Sequence, residues 1–364
     1  MRKNLTFATK GNKSMSKIIV IDGGSLTHSS IFGFEAQYRK KIEYYEKKND
    51  ISFLSAKEIV DDLIKKGQLY ISQPPYLYFQ SLIGVLRRIV VDKDDTVIIA
   101  RDKTTSWRKI FASYYKAQRK EAKEEHKLID WTYRYRQIDK LINKIDESTN
   151  FHIVWLPHLF NYLDVLPTEE GQKFLNSEEI TDFNFEFGVE GDDIMAVVPR
   201  VFHDKECIIV TKDCDLDMLA VLSNVKIYTL NIKYRGGTGV YKIIDNGYKV
   251  LEGKVRKGDK GDNILIPEDD TEKGKALRKL IIDLINLPEW IYEPIKNILS
   301  NLPEKKCNFD LLPFPRSLAL RFPNIYKNDK IITYEDSIKR LERKKKSNKK
   351  KKLMKKKSST IRKI

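Results

Sequence analysis

Lys17-Ile-Ile-Val-Ile-Asp22, followed by Gly23 and Gly24, is the stretch from which the fold can be read. Its unbroken apolar run points to a strand buried on both faces, because a half-exposed strand would alternate apolar and polar residues. The glycine pair after Asp22 reads as a turn. Thr96-Val-Ile-Ile-Ala-Arg-Asp102 has the same form, and Glu206-Cys-Ile-Ile-Val-Thr211 runs on to Asp213 and Asp215. Further strands are expected at Phe151–Leu156, Val225–Leu230 and Val240–Ile244. Helices are expected at 34–48, 56–66, from Pro74 to about 91, 190–203 (shortened or kinked by Pro199), 272–286, 288–300 and 332–345. Strands alternating with helices imply an α/β fold with a mostly parallel central sheet and helices on both faces.

Composition narrows the function. The formal net charge is +17, and its position is more telling than its size. Residues 343–364 hold thirteen Lys/Arg and no acid, and residues 1–17 hold five and no acid. Between them lie fifty basic and fifty-one acidic side chains, so the two ends carry all the excess. Basic tails attract polyanions by counterion release, without sequence preference. The three cysteines (Cys207, Cys214, Cys307) form no CxxC pair, which argues against a zinc ribbon or a disulfide framework. No apolar run nears the roughly 18 residues of a membrane span, and the N-terminal stretch lacks a secretory core. A soluble, cytoplasmic protein is expected. The expected organisation is a disordered basic extension (1–16), an α/β domain (17–250), a helical C-terminal part (251–342) and a disordered lysine-rich tail (343–364).

Three expected strands lead into aspartates: Asp22, Asp102 and Asp213. Ligands of open α/β sheets bind beyond the carboxyl ends of strands. A single such Asp is more often a helix cap or turn residue, but here each has acidic company. Glu190, Asp192 and Asp193 stand together, with Glu190 and Asp193 on one side of a helical turn. Asp213 and Asp215 share a side of an extended chain, and Asp259 and Asp262 form a third pair. Carboxylates gathered without cations repel one another, whereas divalent ions neutralise them. All-oxygen ligands with no His beside them in sequence favour Mg²⁺, with Mn²⁺ as substitute, and two such ions could flank a phosphodiester. The EF-hand pattern is absent, so a dedicated calcium loop is not expected.

A second cluster is basic. Residues 101–120 hold seven Lys/Arg and one acid. Residues 105–148, nearly free of Gly and Pro, read as a projecting helical stretch. On a helix, Arg108, Tyr115 and Arg119 share one face, where cations would meet phosphates and an aromatic could stack on a base. Trp107 and Phe111 read instead as core, while Lys116 and Arg119 read as functional.

These motifs, in this order, resemble the 5′-nuclease (flap endonuclease and 5′→3′ exonuclease) superfamily, in particular its T-even bacteriophage ribonuclease H branch. The resemblance spans about residues 17–265. It is carried by the strand ending in Asp22, by Asp102 followed by Tyr115-Lys116-x-x-Arg119, by Glu190-Gly-Asp-Asp193, by Thr211-Lys-Asp-Cys-Asp215 and by Gly258-Asp-Lys-Gly-Asp-Asn263. It implies that Asp22, Asp102, Glu190, Asp192 and Asp213 hold a first Mg²⁺. Asp215, Asp259 and Asp262 would hold a second, with Asp193 between them or in an outer position. It implies that Lys116 and Arg119 grip the scissile phosphate with Asp102 and Asp213 beside the reaction, and that Tyr115 stacks on a base. Arg108, Lys257, Lys260 and Lys275 would contact nucleic acid, and 105–148 would include a helical arch threaded by a 5′ strand. The family's Gly-Ile-Gly-x-Lys hairpin is missing, with Gly274-Lys275 as a possible remnant. Gly191 stands where the family has Ala, which suggests close packing there.

The expected activity is therefore 5′→3′ exonuclease and flap endonuclease action on 5′ flaps, nicks, free 5′ ends and RNA–DNA hybrids, removing primers during replication. The chain would act as a monomer, with a single-strand-binding protein or sliding clamp as a conceivable partner of the tail. A PIN-type ribonuclease and a non-catalytic DNA-binding module are the alternatives; the first lacks the Gly-Asp-x-x-Asp-Asn loop, and the second would not need every acid.

Overall fold

The computed structural model of the protein describes residues 16–89, 91, 94–102, 105–119, 128–157, 187–230, 240–266 and 270–305. The expected N-terminal extension, the helix at 332–345 and the lysine-rich tail lie outside these residues, as does the middle of the expected arch.

A six-stranded sheet organises the described residues. Its strands are β1 (Ile18–Asp22), β2 (Thr96–Ala100), β4 (His152–Val154), β6 (Cys207–Thr211), β7 (Val225–Thr229) and β8 (Val240–Tyr241), in the spatial order β4-β2-β1-β6-β7-β8. All neighbours pair parallel except β7 and β8. A separate parallel pair joins β3 (Thr105–Ser106) to β5 (Phe187–Gly188). β1 lies in the middle, so Ile18, Ile19, Val20 and Ile21 are all fully buried, as their unbroken apolar run requires.

Alternation along β1 feeds two cores. Ile18 and Val20 face Ile98, Ile209 and the helices α6 (Gly191–Val201), α8 (Glu272–Ile282) and α9 (Glu289–Ser300). Ile19 and Ile21 face Val97, Ile208 and the helices α1 (Gly23–Asn49), α2 (Phe53–Lys65), α3 (Pro74–Ile89) and α5 (Trp131–Ser148). Helices thus cover both faces, as the parallel connections demand. The helix α7 (Gly247–Lys257) runs across residue 250, and its Leu251 joins the same core as β1 and α8. The described residues between 251 and 305 thus share the core of Ile18 and Val20.

Register brings the acids to one end. Asp22 pairs with Ala100, and Ile21 pairs with Val210, so the carboxyl ends of β1, β2 and β6 are level. Asp102 and Asp213 each stand two residues beyond their strand. No turn follows Asp22: α1 starts at once, and a side chain on Gly23 would come 2.7 Å from the Ala100 carbonyl.

The helix expected through 105–148 is interrupted. After β3, α4 (Arg108–Phe111) makes a single turn, residues 113–117 form turns, Gln118 and Arg119 are helical again, and a further helix begins at Trp131. Lys116 has φ +55, a left-handed conformation no helix accommodates. Tertiary contacts override the local pattern here. The Lys116 N–H donates to the Asp262 carbonyl (2.9 Å), Asn263 Nδ2 to the Tyr114 carbonyl (2.9 Å) and Gln118 Nε2 to the Gly261 carbonyl (2.8 Å). The basic segment is thereby docked on the 258–263 loop.

Candidate metal centre

Asp22, the last residue of β1, caps α1: its carboxylate accepts from the Ser25 N–H (2.7 Å) and the Ser25 hydroxyl. It also accepts from Thr211 Oγ1 at 2.8 Å, which ties β6 to β1 at the sheet end. The same Thr211 hydroxyl accepts from the Asp213 N–H (2.9 Å), and Asp213 accepts from the Asp215 N–H (2.9 Å). Asp102 accepts from the Gly191 N–H at the start of α6. A Cβ on Gly191 would lie 3.0 Å from Asp102 Oδ1, so the closeness inferred from this glycine is real. The helix α6 is capped by Glu190 and Asp193 in a capping box, which directs Asp192 toward the strand ends.

Asp22, Asp102, Asp192 and Asp213 line a cleft of about 320 Å³, together with Lys116, Arg119, His28, Phe32 and Trp131. Beyond Asp192 lies a second group. Asp215, Asp259 and Asp262 each offer a carboxylate oxygen within 4.8 Å of the others. Asp192 also lines the small cavity that holds these three and Glu190, so it borders both groups.

The charges divide by partner. Burial pushes Asp192 well above the usual carboxylate range, and repulsion from Asp22 and Asp213 adds to it. Burial likewise raises Asp22. Asp102 opens toward the cleft on one side, yet loss of hydration within dense protein, with Glu190 nearby, raises it to about 6. Asp215 is pushed up to about 8 by burial and by Asp213, against the pull of Lys254. Glu190 behaves oppositely. Burial would raise it, but Lys116 and Arg108 bring it down to about 2. Asp259 is also held low despite burial, chiefly by its hydrogen bond from Lys254. The cleft thus has more negative charge than its cations balance.

That excess fits divalent cations. The donors are all carboxylate oxygens, the ligand type of Mg²⁺ and Mn²⁺. Gly24 helps keep the space between Asp22 and Asp102 open, since a Cβ there would stand 3.4 Å from one carboxylate and 3.6 Å from the other. Protein ammonium groups already sit against these oxygens: Lys116 against Glu190, and Lys254 against both Asp215 and Asp259.

Three residues expected at the site do not face the cleft. Arg108 is buried, with Nη1 2.8 Å from Glu190 Oε2, Nη2 2.6 Å from Asp193 Oδ1 and Nε donating to the Ile281 carbonyl (2.7 Å). It cannot reach nucleic acid. Tyr115 is likewise buried, its hydroxyl donating to Glu190 (2.8 Å) and reaching Asp262 (3.0 Å), so its ring is not a stacking surface. Asp193 is fully buried on Arg108, the Trp107 indole (2.9 Å) and the Glu190 N–H (2.9 Å), and it supports the acids from behind. Trp107 is core, as read from the sequence.

Lys116 and Arg119 do border the cleft, and Arg119 Nη2 lies 2.6 Å from Asp262 Oδ1. Lys257 and Lys260 are exposed beside the 258–263 loop. Gly274 and Lys275 lie in the first turn of α8, which Thr271 caps. Sequence reasoning missed Lys254, the Ser25 and Thr211 hydroxyls, and the wall of His28, Phe32 and Trp131. The Trp-Thr-Tyr-Arg-Tyr run behind a capping Asp130 was a visible cue for Trp131. Nothing local marks Lys254.

No protein-family model matches the chain, and no curated protein matches it. Among solved structures, the chain is similar to the T5 D15 protein co-crystallized with metal ions, over 85% of this chain and 92% of that one, at 15% identity and a TM-score of 0.35.

Proposed function

We propose that the chain is a divalent-metal-dependent nuclease of the 5′-nuclease type. It hydrolyses phosphodiesters near 5′ ends in DNA and RNA–DNA duplexes, in the manner of the T-even phage ribonuclease H group, and removes primers and flaps in replication. The observation that carries the proposal is the convergence of Asp22, Asp102, Asp192 and Asp213, from four separate chain segments, on one cleft edged by Lys116 and Arg119. A phosphodiester brings negative charge to a site already rich in it, so cations must precede or accompany the substrate.

Asp22, Asp102, Asp192 and Asp213, with Glu190 behind them, would hold a first Mg²⁺ or Mn²⁺. Asp215, Asp259 and Asp262 would hold a second. When bound, such ions supply an acidified water and charge stabilisation for the leaving oxygen. The chain supplies the rest. Lys116 and Arg119 are kept at the cleft edge by Glu190 and Asp262, from which they can turn to a phosphate. Phe32 and Trp131, in edge contact at 5.1 Å, give an aromatic wall on which an unpaired terminal base can rest. The exposed Lys257, Lys260 and Lys275 would meet duplex backbone, and the lysine-rich tail would act as an electrostatic tether.

The test is a 5′-flap duplex labelled on the flap strand, incubated with purified protein and Mg²⁺, Ca²⁺ or EDTA. Short 5′-derived products with Mg²⁺ alone are expected, and their lengths separate exonuclease from flap cutting. Binding without cleavage under every metal condition, Mn²⁺ included, would overturn the proposal.

A further inference from the structure

Lys254 stands on the last turn of α7 and crosses to the acid cluster. Its Nζ hydrogen-bonds Asp215 and Asp259 together, two of the three carboxylates whose oxygens converge within 4.8 Å. Asp259 is fixed from the other side, where its Oδ1 accepts the Gly261 N–H at 2.8 Å. The bridging ammonium therefore sits on a carboxylate pair whose geometry the backbone already sets. It is about one-fifth exposed and hangs from a flexible four-carbon stem, so it can withdraw to solvent without moving the helix.

We infer that Lys254 is an internal counter-ion that competes with a divalent cation for the Asp215–Asp259–Asp262 cluster. The inference rests on the two-cation reading above and deepens it. In the cation-free protein the ammonium offsets part of the charge of Asp215 and Asp259 and keeps the pair together. A divalent ion entering there must displace it, which weakens the second cation relative to the first. At the first group Lys116 bonds Glu190 alone, and among the described residues no lysine bridges two of Asp22, Asp102, Asp192 and Asp213, so the second cation bears the larger handicap.

The experiment titrates full-length protein with Mn²⁺ alone, following free Mn²⁺ by electron paramagnetic resonance and heat by calorimetry. The variants are Lys254→Met, Lys254→Gln and, as a control that removes an exposed charge from the same helix, Lys249→Met. Removing a charge-assisted bridge should tighten the second Mn²⁺ by roughly tenfold or more in both Lys254 variants. The first Mn²⁺ and the control should match the wild type. Melting should report the same exchange: Lys254→Met melts lower than wild type in EDTA and gains more from saturating Mn²⁺. A second Mn²⁺ that binds unchanged, more weakly or not at all in both Lys254 variants, while the first binds normally, would overturn the inference and leave the metal reading standing. Failure of wild type and variants alike to bind any Mn²⁺ would overturn both.

Discussion

Arg108 Nη2 lies 2.6 Å from Asp193 Oδ1, and both side chains are shut away from the cleft, at 2% and 0% exposure. This ion pair underlies the acidic site. The same guanidinium reaches Glu190, and Asp193 closes the capping box that begins α6. Burying such a pair is tolerable only because every partner is matched, and removing one leaves an uncompensated charge.

Arg108→Met should therefore act on stability. Breaking a buried pair costs about 3–5 kcal/mol, a large share of the roughly 5–15 kcal/mol that holds a domain together. Denaturant unfolding should show a sharply lowered midpoint. Arg119→Met should do the reverse. Its half-exposed pair with Asp262 contributes within about 1 kcal/mol, so the midpoint should barely move. Binding of a duplex with a free 5′ end, measured by fluorescence anisotropy, should weaken by about tenfold with the loss of one phosphate-facing cation.

The contrast between these two arginines marks where the sequence was legible. The order of acids after apolar strands placed Asp22, Asp102 and Asp213 at one sheet end because parallel strands share a direction. The basic segment misled because helical spacing aligned Arg108, Tyr115 and Arg119 on a face that does not exist. Lys116 adopts φ +55 and the chain turns there, so two of the three residues point inward. Lys254 was invisible for another reason. Its partners include a residue 39 positions earlier, and no local pattern encodes such a contact.

Asp213→Asn should leave folding and substrate binding intact while abolishing hydrolysis. The amide keeps an oxygen to accept the Asp215 N–H, now 2.9 Å away, but loses the charge needed to hold a cation. Gel shift in Ca²⁺ and cleavage in Mg²⁺ separate the two effects. Near-normal turnover in the variant would remove Asp213 from the ligand set.

Asp192→Asn should make the metal-free protein more stable. Burial, then Asp22 and Asp213, raise Asp192 in the folded state, so at neutral pH its ionised form weakens folding. The sign follows from linkage: a carboxyl raised on folding destabilises above its folded value, and the penalty fades as pH falls toward the unfolded value near 4. In EDTA at neutral pH the variant should melt a few degrees higher, since about 1 kcal/mol corresponds to roughly 2–4 °C or less for a chain of this size. With Mn²⁺ present, the order should reverse, because the variant binds the ion less tightly.

His152 gives a pH effect remote from the acids. It lies in β4, where burial lowers its pKa and the Lys305 ammonium lowers it further. A histidine depressed on folding contributes its full stability above the unfolded value near 6.5, and that contribution is lost as pH falls through the folded value. Melting temperatures of wild type and His152→Gln, compared from pH 7.5 downward in steps of about half a unit, should differ in slope only below about 6.5. Parallel curves would mean that the imidazole titrates alike in both states.

The thirteen Lys/Arg of residues 343–364 should act on encounter with a polyanion and not on the chemistry. Residues 18–342 are nearly neutral, so a polyanion arriving from solution meets little net attraction except at the two ends. Truncation after residue 342 should lower affinity for any duplex, matched or not. It should also flatten the dependence of log affinity on log salt, by about 0.9 for each phosphate that the tail no longer neutralises. Turnover at saturating substrate should stay the same, because the cleft is lined by Asp22, Asp102, Asp192, Asp213, Lys116 and Arg119, all far from the tail in sequence. Affinity that is unchanged from low to physiological salt would rule out a tethering role, since counterion release by thirteen cations is largest where salt is lowest.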